Sequence, residues 1–110
     1  MSKGPLREPT FLILTALAAG AQHGYGIMTD VRQISGGRVQ LRAGTLYAAL
    51  DRLAAEGLVE ADREEIVDGR LRRYYRLTAA GAQRLAAEVE RLYAGAATAA
   101  RRLKLLGGTA

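Results

Sequence analysis

The chain has 110 residues, 49% of them hydrophobic, which suits one globular domain with a modest core and excludes a disordered chain. Its 16 Lys and Arg residues, nearly all Arg, outnumber 11 Asp and Glu residues, and the net charge of +5 favours a nucleic acid or another anionic partner. The absence of cysteine excludes disulfides and thiolate zinc sites, and the longest apolar run is about half a membrane span, so we expect a cytoplasmic protein with no cofactor, metal or membrane partner.

The first predicted helix runs from Phe11 to Ala19, behind a helix start at Pro9 and Thr10. This segment is apolar almost all round, a pattern that indicates burial on more than one side. Such burial would be explained if the helix lay between its own domain and a second layer of structure. The polar residues from Met1 to Glu8 are predicted to be poorly ordered unless a partner holds them.

A second, amphipathic helix is predicted from Gly24 to Ser35 and is closed by Gly36 and Gly37. Three apolar residues recur at the helical spacing i, i+4 and i+7: Ile27, Val31 and Ile34. His23 is the only histidine and lies in the loop before this helix. We interpret it as a turn or packing residue.

The segment from Leu41 to Leu58 predicts a third helix with a sharply divided surface. Leu46, Leu50 and Leu53 form one stripe that faces a core, and Gly57 ends the helix. The opposite face is small and partly basic, so it suits close approach to the major groove of DNA, or it is only a solvated surface. The candidate DNA-contacting residues of this segment are Arg42, Gly44, Thr45, Tyr47, Ala48 and Arg52.

A short hairpin is predicted after the third helix. Leu58 to Ala61 is an extended run, Asp62 to Ile66 is charged, and Asp68-Gly69 is a strong two-residue turn signal. Successive side chains of the return strand from Arg70 to Thr78 point alternately to the two faces of the hairpin. A basic hairpin directly after three short helices predicts a winged helix-turn-helix over residues 1–78, the alternative being a charged face kept wet on a small sheet. Its candidate DNA-binding residues are Arg70, Arg72 and Arg73.

From Thr78, a predicted N-cap, the chain becomes one helix to about Leu105, roughly 40 Å long, with a frayed tail after Gly107. A winged domain cannot cover the apolar stripe of so long a helix. We therefore expect residues 79–110 to form a dimerisation helix, with the apolar first helix as the surface that it meets and two-fold symmetry as the simplest closure. The predicted interface residues are Phe11, Leu14, Leu85, Val89, Leu92, Tyr93, Ala96 and Leu103.

Three segments occur in the order and spacing of a known family: HGYGI at 23–27, GTLYAALDRLAAEGLV at 44–59, and DGRLRRYYRLTAAG at 68–81. Together they resemble the PadR family of winged-helix transcriptional regulators over nearly the whole chain, and the single terminal helix resembles its short-tailed branch. The resemblance implies a homodimer that binds a pseudo-palindromic operator in duplex DNA and usually represses. By position it implies DNA contacts from Tyr25, Gly44, Thr45, Tyr47 and the three wing arginines.

The resemblance also implies release from DNA when an effector or stress signal arrives. Drug-binding members of the family use indole rings at the dimer interface, whereas this chain has no Trp. Planar stacking of a small-molecule effector would fall to Tyr93 or Phe11. The alternative is that no effector binds and that regulation acts through the amount of repressor or its proteolysis.

Two other classes compete with this interpretation. One is a winged-helix module that binds only protein through its hairpin and terminal helix. A regulator of the related MarR-like type is a further alternative within the DNA-binding class. The other, weakest option is an enzyme. The carboxylates of Glu64, Glu65 and Asp68 lie on the hairpin with no nucleophile or phosphate-cradling loop nearby, so we predict that the protein is not an enzyme.

Overall fold

The computed structural model describes residues 4–107, which form helices around a small sheet. In chain order the elements are α1 (Glu8–Ala18), β1 (Gln22–His23), α2 (Gly24–Ile34), α3 (Ala43–Ala55), β2 (Val59–Val67), β3 (Arg70–Leu77) and α4 (Ala79–Gly107). The predicted fold class, mainly helical with a β-hairpin and a long terminal helix, is confirmed. The predicted loose ends lie partly outside the described residues, in 1–3 and 108–110.

The first three helices bury their apolar faces against one another. The predicted stripe of α3, Leu46, Leu50 and Leu53, is buried in this core. In α2 the prediction holds for two of three positions, because Ile34 is 43% exposed. The reason is that α2 ends at this residue and the chain turns away through two glycines with positive φ, Gly36 and Gly37.

The first helix is enclosed by its own domain more completely than its sequence predicted. Leu14 is 0% exposed inside the core, together with Leu12, Ile13 and Leu17. The assignment of Leu14 to a partner interface is therefore wrong, because this side chain is fully buried within its own chain. Phe11 is half-buried at the edge of the core and keeps an accessible face.

The sheet has a third strand that the sequence analysis missed. The strand order is β1-β3-β2, and β1 pairs antiparallel with β3 at Gln22–Tyr75 and His23–Tyr74. This strand has only two residues, too few for any alternation to be visible. It ties the residues just before α2 directly to the wing.

Strand β2 continues through the charged segment that the sequence analysis left outside the strand. Glu64 lies opposite Arg73, and Glu60 lies opposite Arg76. Opposite charges on facing strands support pairing in the absence of an apolar pattern. The turn was predicted correctly, because Asp68 and Gly69 both have positive φ (52° and 74°), as a type I′ hairpin turn requires.

The start of α4 is fixed by a cap and by a close backbone contact. The Thr78 Oγ1 atom accepts a hydrogen bond from the Gly81 N–H at 3.0 Å, which confirms Thr78 as the N-cap. A Cβ atom at Gly81 would lie 2.0 Å from the backbone oxygen of Leu58. Only glycine lets α4 approach the end of α3 so closely.

The segment before α1 is held by α4 along residues 4–7. Arg84 donates to the Gly4 carbonyl at 2.8 Å, and the Leu6 N–H donates to Glu88 Oε1 at 3.2 Å. Glu88 is buried, yet hydrogen bonds from Arg91, with help from the Leu6 N–H, hold the pKa of its carboxyl below the ordinary value. This ionised group fixes the approach of the chain to α1.

The Gly81 contact yields a stability prediction. The Gly81→Ala substitution should lower the free energy of unfolding by about 1–3 kcal/mol, the usual cost of overpacking, although alanine is the better helix former. Gly44→Ala is the matched control, because a Cβ atom at Gly44 meets nothing within 4 Å. Urea unfolding of both variants measures the difference, and equal effects would contradict the role given to the Leu58 carbonyl.

Candidate nucleic-acid interface

The exposed face of α3 is shallow along its first two turns. Gly44, Thr45 and Ala48 are all exposed there, and the buried leucines behind them set the rotation of the helix. The fold does not need glycine at position 44, since a Cβ atom would meet nothing within 4 Å. The small side chains therefore leave room for close approach from outside the molecule.

A groove runs beside this face, between α3 and the beginning of α1. The Arg52 guanidinium crosses it and donates to Thr10 Oγ1 at 2.9 Å. Arg52 thus lies against α1 at the edge of the exposed face, instead of projecting from its centre. The groove also contains Arg7, which the sequence analysis did not select. Its lining residues are Arg7, Pro9, Thr10, Gly44, Thr45, Ala48, Ala49 and Arg52.

On the other flank of α3, a cleft of about 470 Å³ separates the helices from the wing. Five predicted site residues meet around it: Tyr25, Tyr47, Arg70, Arg72 and Arg73. Both tyrosine rings are exposed to solvent. The structure therefore divides the predicted DNA-binding residues between two flanks of one helix.

The position of Tyr47 depends on Gly24 at the start of α2. A Cβ atom at Gly24 would lie 2.2 Å from the Tyr47 hydroxyl oxygen, so any larger residue would displace the ring. The sequence motif around Gly24 gave no hint of this contact, because the two residues lie on different helices.

The arginines of the wing are not electrostatically equivalent. Arg73 donates to Glu64 at 3.1 Å, and Arg76 forms salt bridges with Glu60 and Asp62. Among the salt bridges of residues 4–107, none includes Arg70 or Arg72. These two guanidinium groups are the ones available to an external anion, while Arg73 must first leave its carboxylate.

His23 joins the cleft to α2. Its Nδ1 atom accepts the Gly26 N–H at 3.2 Å and caps the helix, and its ring meets Tyr74 edge to face at 5.3 Å between centroids. Burial, aided by the positive charge of Arg72, lowers the pKa of this imidazole from its ordinary value. His23 is a packing residue, as predicted, and it has the added role of helix cap.

The lowered pKa of the His23 imidazole makes the stability of the fold depend on pH. As pH falls, the unfolded chain takes up the His23 proton first, so stability that is complete above the usual histidine pKa is lost as pH falls through the lower native one. His23→Asn keeps a good N-cap without titrating in this range. From about pH 8 to about pH 5, wild type should lose more unfolding free energy than this variant. Equal losses in urea unfolding at each pH would exclude His23 as the titrating group.

Metal and membrane features are not evident in the described part of the chain. No group of three His, Cys, Asp or Glu side chains within residues 4–107 is placed to hold a metal ion. None of the helices in this range has the length and apolar character needed to cross a bilayer.

Comparison with known proteins identifies the family. Residues 13–87, from α1 to the first turns of α4, match the model of the transcriptional regulator PadR-like family. The chain belongs to this family. The predicted PadR resemblance is confirmed, and the family consists of transcriptional regulators, not enzymes. This family assignment excludes the MarR-like alternative.

Solved PadR structures share the fold of this chain. A PadR family regulator from Clostridium difficile is 26% identical, with a TM-score of 0.72 over 86% of this chain and 96% of that one. Bacillus subtilis PadR, crystallised in complex with operator DNA, is 26% identical, with a TM-score of 0.66 over 76% of this chain and 48% of that one.

Curated relatives match over shorter stretches. Transcriptional regulator Rv3488 of Mycobacterium tuberculosis is 55% identical over 38 residues, 34% of this chain and 35% of that protein. The chain spans 64%, 22% and 35% of the lengths of three curated relatives.

Within this PadR-family chain, three site features escaped the sequence analysis. They are the capping role of His23, the contact between Gly24 and Tyr47, and the presence of Arg7 beside α3. The first had a usable signal, since a side chain with an acceptor directly before a helix is a capping candidate. The other two arise from contacts between separate elements.

Proposed function

We propose that this protein is a DNA-binding transcriptional regulator, with α3 in the major groove of duplex DNA and the wing reaching the adjacent minor groove. The observation that carries the proposal is the placement of α3 between two recesses. Gly44, Thr45 and Ala48 border the groove beside α1, and on the other flank Tyr47 faces the wing arginines Arg70 and Arg72 across the cleft. The likeness to Bacillus subtilis PadR bound to operator DNA supports the same mode.

The two flanks of α3 suit different parts of DNA. Gly44, Thr45 and Ala48 are small enough to meet base edges, where a thymine methyl is the natural contact for alanine or the threonine methyl. Arg42, which precedes α3, and Arg52 lie at the two ends of this face and are suited to phosphates. The strand of DNA backbone between the two grooves would then pass through the cleft beside Tyr25 and Tyr47.

We propose further that the protein acts as a homodimer through α4. This helix has 29 residues, roughly 44 Å, and beyond its first turns its apolar side chains are exposed. Leu92, Tyr93 and Leu103 would form a large uncovered patch on a monomer. A two-fold dimer would cover them and hold two α3 helices at one separation, as a pseudo-palindromic operator requires.

Repression and its relief follow from this arrangement as proposals. A dimer seated on an operator obstructs other proteins at the same site, and a small molecule between the α4 helices would change the separation of the two reading heads. Tyr93 is largely exposed, so its ring is the one available for stacking in α4. Such a regulator would act in the cytoplasm, where its DNA is.

The salt dependence of binding tests the DNA-binding proposal. Arg72→Ala should weaken binding to every duplex and flatten the plot of log affinity against log salt by nearly one unit per bound subunit, because one phosphate contact is lost. Arg76→Ala is the matched control, since Arg76 is already paired with Glu60 and Asp62. Fluorescence anisotropy across a salt series measures both slopes. Wild-type protein that binds no duplex at low salt would refute the proposal.

A charge placed on the exposed stripe of α4 tests the dimer. Leu103→Asp should shift the protein to monomer in sedimentation velocity, because an unpaired carboxylate would be buried in the interface. Ala94→Asp is the control, since Ala94 is exposed and lies about 180° around the helix from Leu103. A monomeric wild type at micromolar concentration, with α4 still helical by circular dichroism, would refute the dimer.

A further inference from the structure

Two apolar side chains lie exposed together near the end of the wing. Ile66 is 76% exposed and Leu71 is 62% exposed, and they are direct partners across β2 and β3. Directly opposed residues on paired strands project from the same face. Ile66 and Leu71 therefore form one continuous apolar surface, which we call the wing pair, close to the Asp68-Gly69 turn.

Neither the core nor the proposed dimer accounts for the wing pair. The other large exposed apolar residues of the described chain lie on α4, beside the cleft that Leu71 also lines, or singly at the end of α2. The neighbouring positions of β2 carry charged residues, several of them in salt bridges. An exposed apolar pair on an edge hairpin favours aggregation, so its presence needs a reason.

The charges beside the wing pair indicate the kind of surface that it meets. Side chains alternate along a strand, so Arg70 and Arg72 project from the face opposite to Leu71. The end of the wing thus has the apolar pair on one face. On the other face Arg70 lies opposite Val67 and Arg72 lies opposite Glu65, and neither arginine forms a salt bridge among the described residues. The minor groove of DNA is about 6 Å wide, and its walls carry deoxyribose carbons together with phosphates.

We propose that the wing pair is a DNA contact that determines sequence preference at positions flanking those read by α3. This inference rests on the proposed function. Ile66 and Leu71 pack against deoxyribose carbons on one wall of the minor groove, while Arg70 and Arg72 reach phosphates of the other wall. A·T-rich steps are preferred, because their minor groove lacks the guanine amino group, which would hold the apolar side chains away from the deoxyribose carbons.

The double variant Ile66→Thr/Leu71→Thr tests this role. Threonine preserves strand propensity, and both positions are exposed, so the fold should be unchanged. Binding is measured by anisotropy on duplexes that share one central sequence, selected from random DNA with the wild-type protein, and differ only in A·T or G·C flanks. The exposed and equally apolar Ile34, changed to Thr, is the matched control away from the wing.

The expected result separates the wing pair from the arginines. The double variant should bind the A·T-flanked duplex about tenfold more weakly, the loss expected for a few apolar groups, and should lose its preference over G·C flanks. Its salt slope should stay unchanged, because no phosphate contact is lost. Arg72→Ala should do the reverse, flattening the slope while keeping the flank preference. Each single threonine variant should show part of the effect if the double variant is unstable.

Three outcomes would overturn the inference. Wild-type affinity and flank preference in the double variant would reject the wing pair as a DNA contact and leave the proposed function intact. A change in sedimentation of the DNA-free double variant would assign the pair to a protein interface. Failure of the wild type to bind any duplex would reject the proposed function and this inference together.

Discussion

The surface that α3 exposes to solvent depends on three leucines, which fix the rotation of this helix. Leu46, Leu50 and Leu53 are at most 1% exposed and lock one side of the helix into the core. Each residue turns an α-helix by about 100°, so a different apolar register would replace the small outward residues by bulky ones. The shallow face of Gly44, Thr45 and Ala48 is thus a consequence of burial on the other side. A site built on a packed helix in this way is held more firmly than one on a loop.

The wing is positioned relative to α3 by a chain of contacts through the start of α2. Strand β1 joins Gln22 and His23 to β3, His23 caps α2, and Gly24 receives the Tyr47 hydroxyl from α3. Three elements therefore meet within three consecutive residues. The width of the cleft between wing and helix is set at this point, which explains why a two-residue strand matters to the proposed DNA interface.

The sequence was sufficient where local chemistry determines structure. The leucine stripe of α3, the Thr78 cap and the Asp68-Gly69 turn each carry their own signal and were predicted correctly. The charged second part of strand β2 was missed because its stabilising partner is the arginine-rich strand opposite, which apolar alternation along one strand does not show.

The positions of other predicted residues also depend on contacts between separate elements. Leu14 is as apolar as an interface residue, but the surrounding helices of its own domain bury it completely. Arg52 lies on the predicted face of α3, yet Thr10 of another helix decides where its guanidinium rests. Arg7 joins the groove because it is the N-cap residue of α1, whose first residues lie beside α3. The hydrogen bond between Arg52 and Thr10 joins residues 42 positions apart in the sequence. Contacts of this kind leave no trace in local sequence patterns.

Under the proposed function, the acidic strand beside the basic one has a kinetic consequence. Carboxylates of β2 engage Arg63, Arg73 and Arg76, so fewer cations of the wing can displace counterions from arbitrary DNA. Under the proposed function, residence on unrelated sequence would be shortened, while the small face of α3 would lose nothing at its target. Each wrong site would be abandoned sooner.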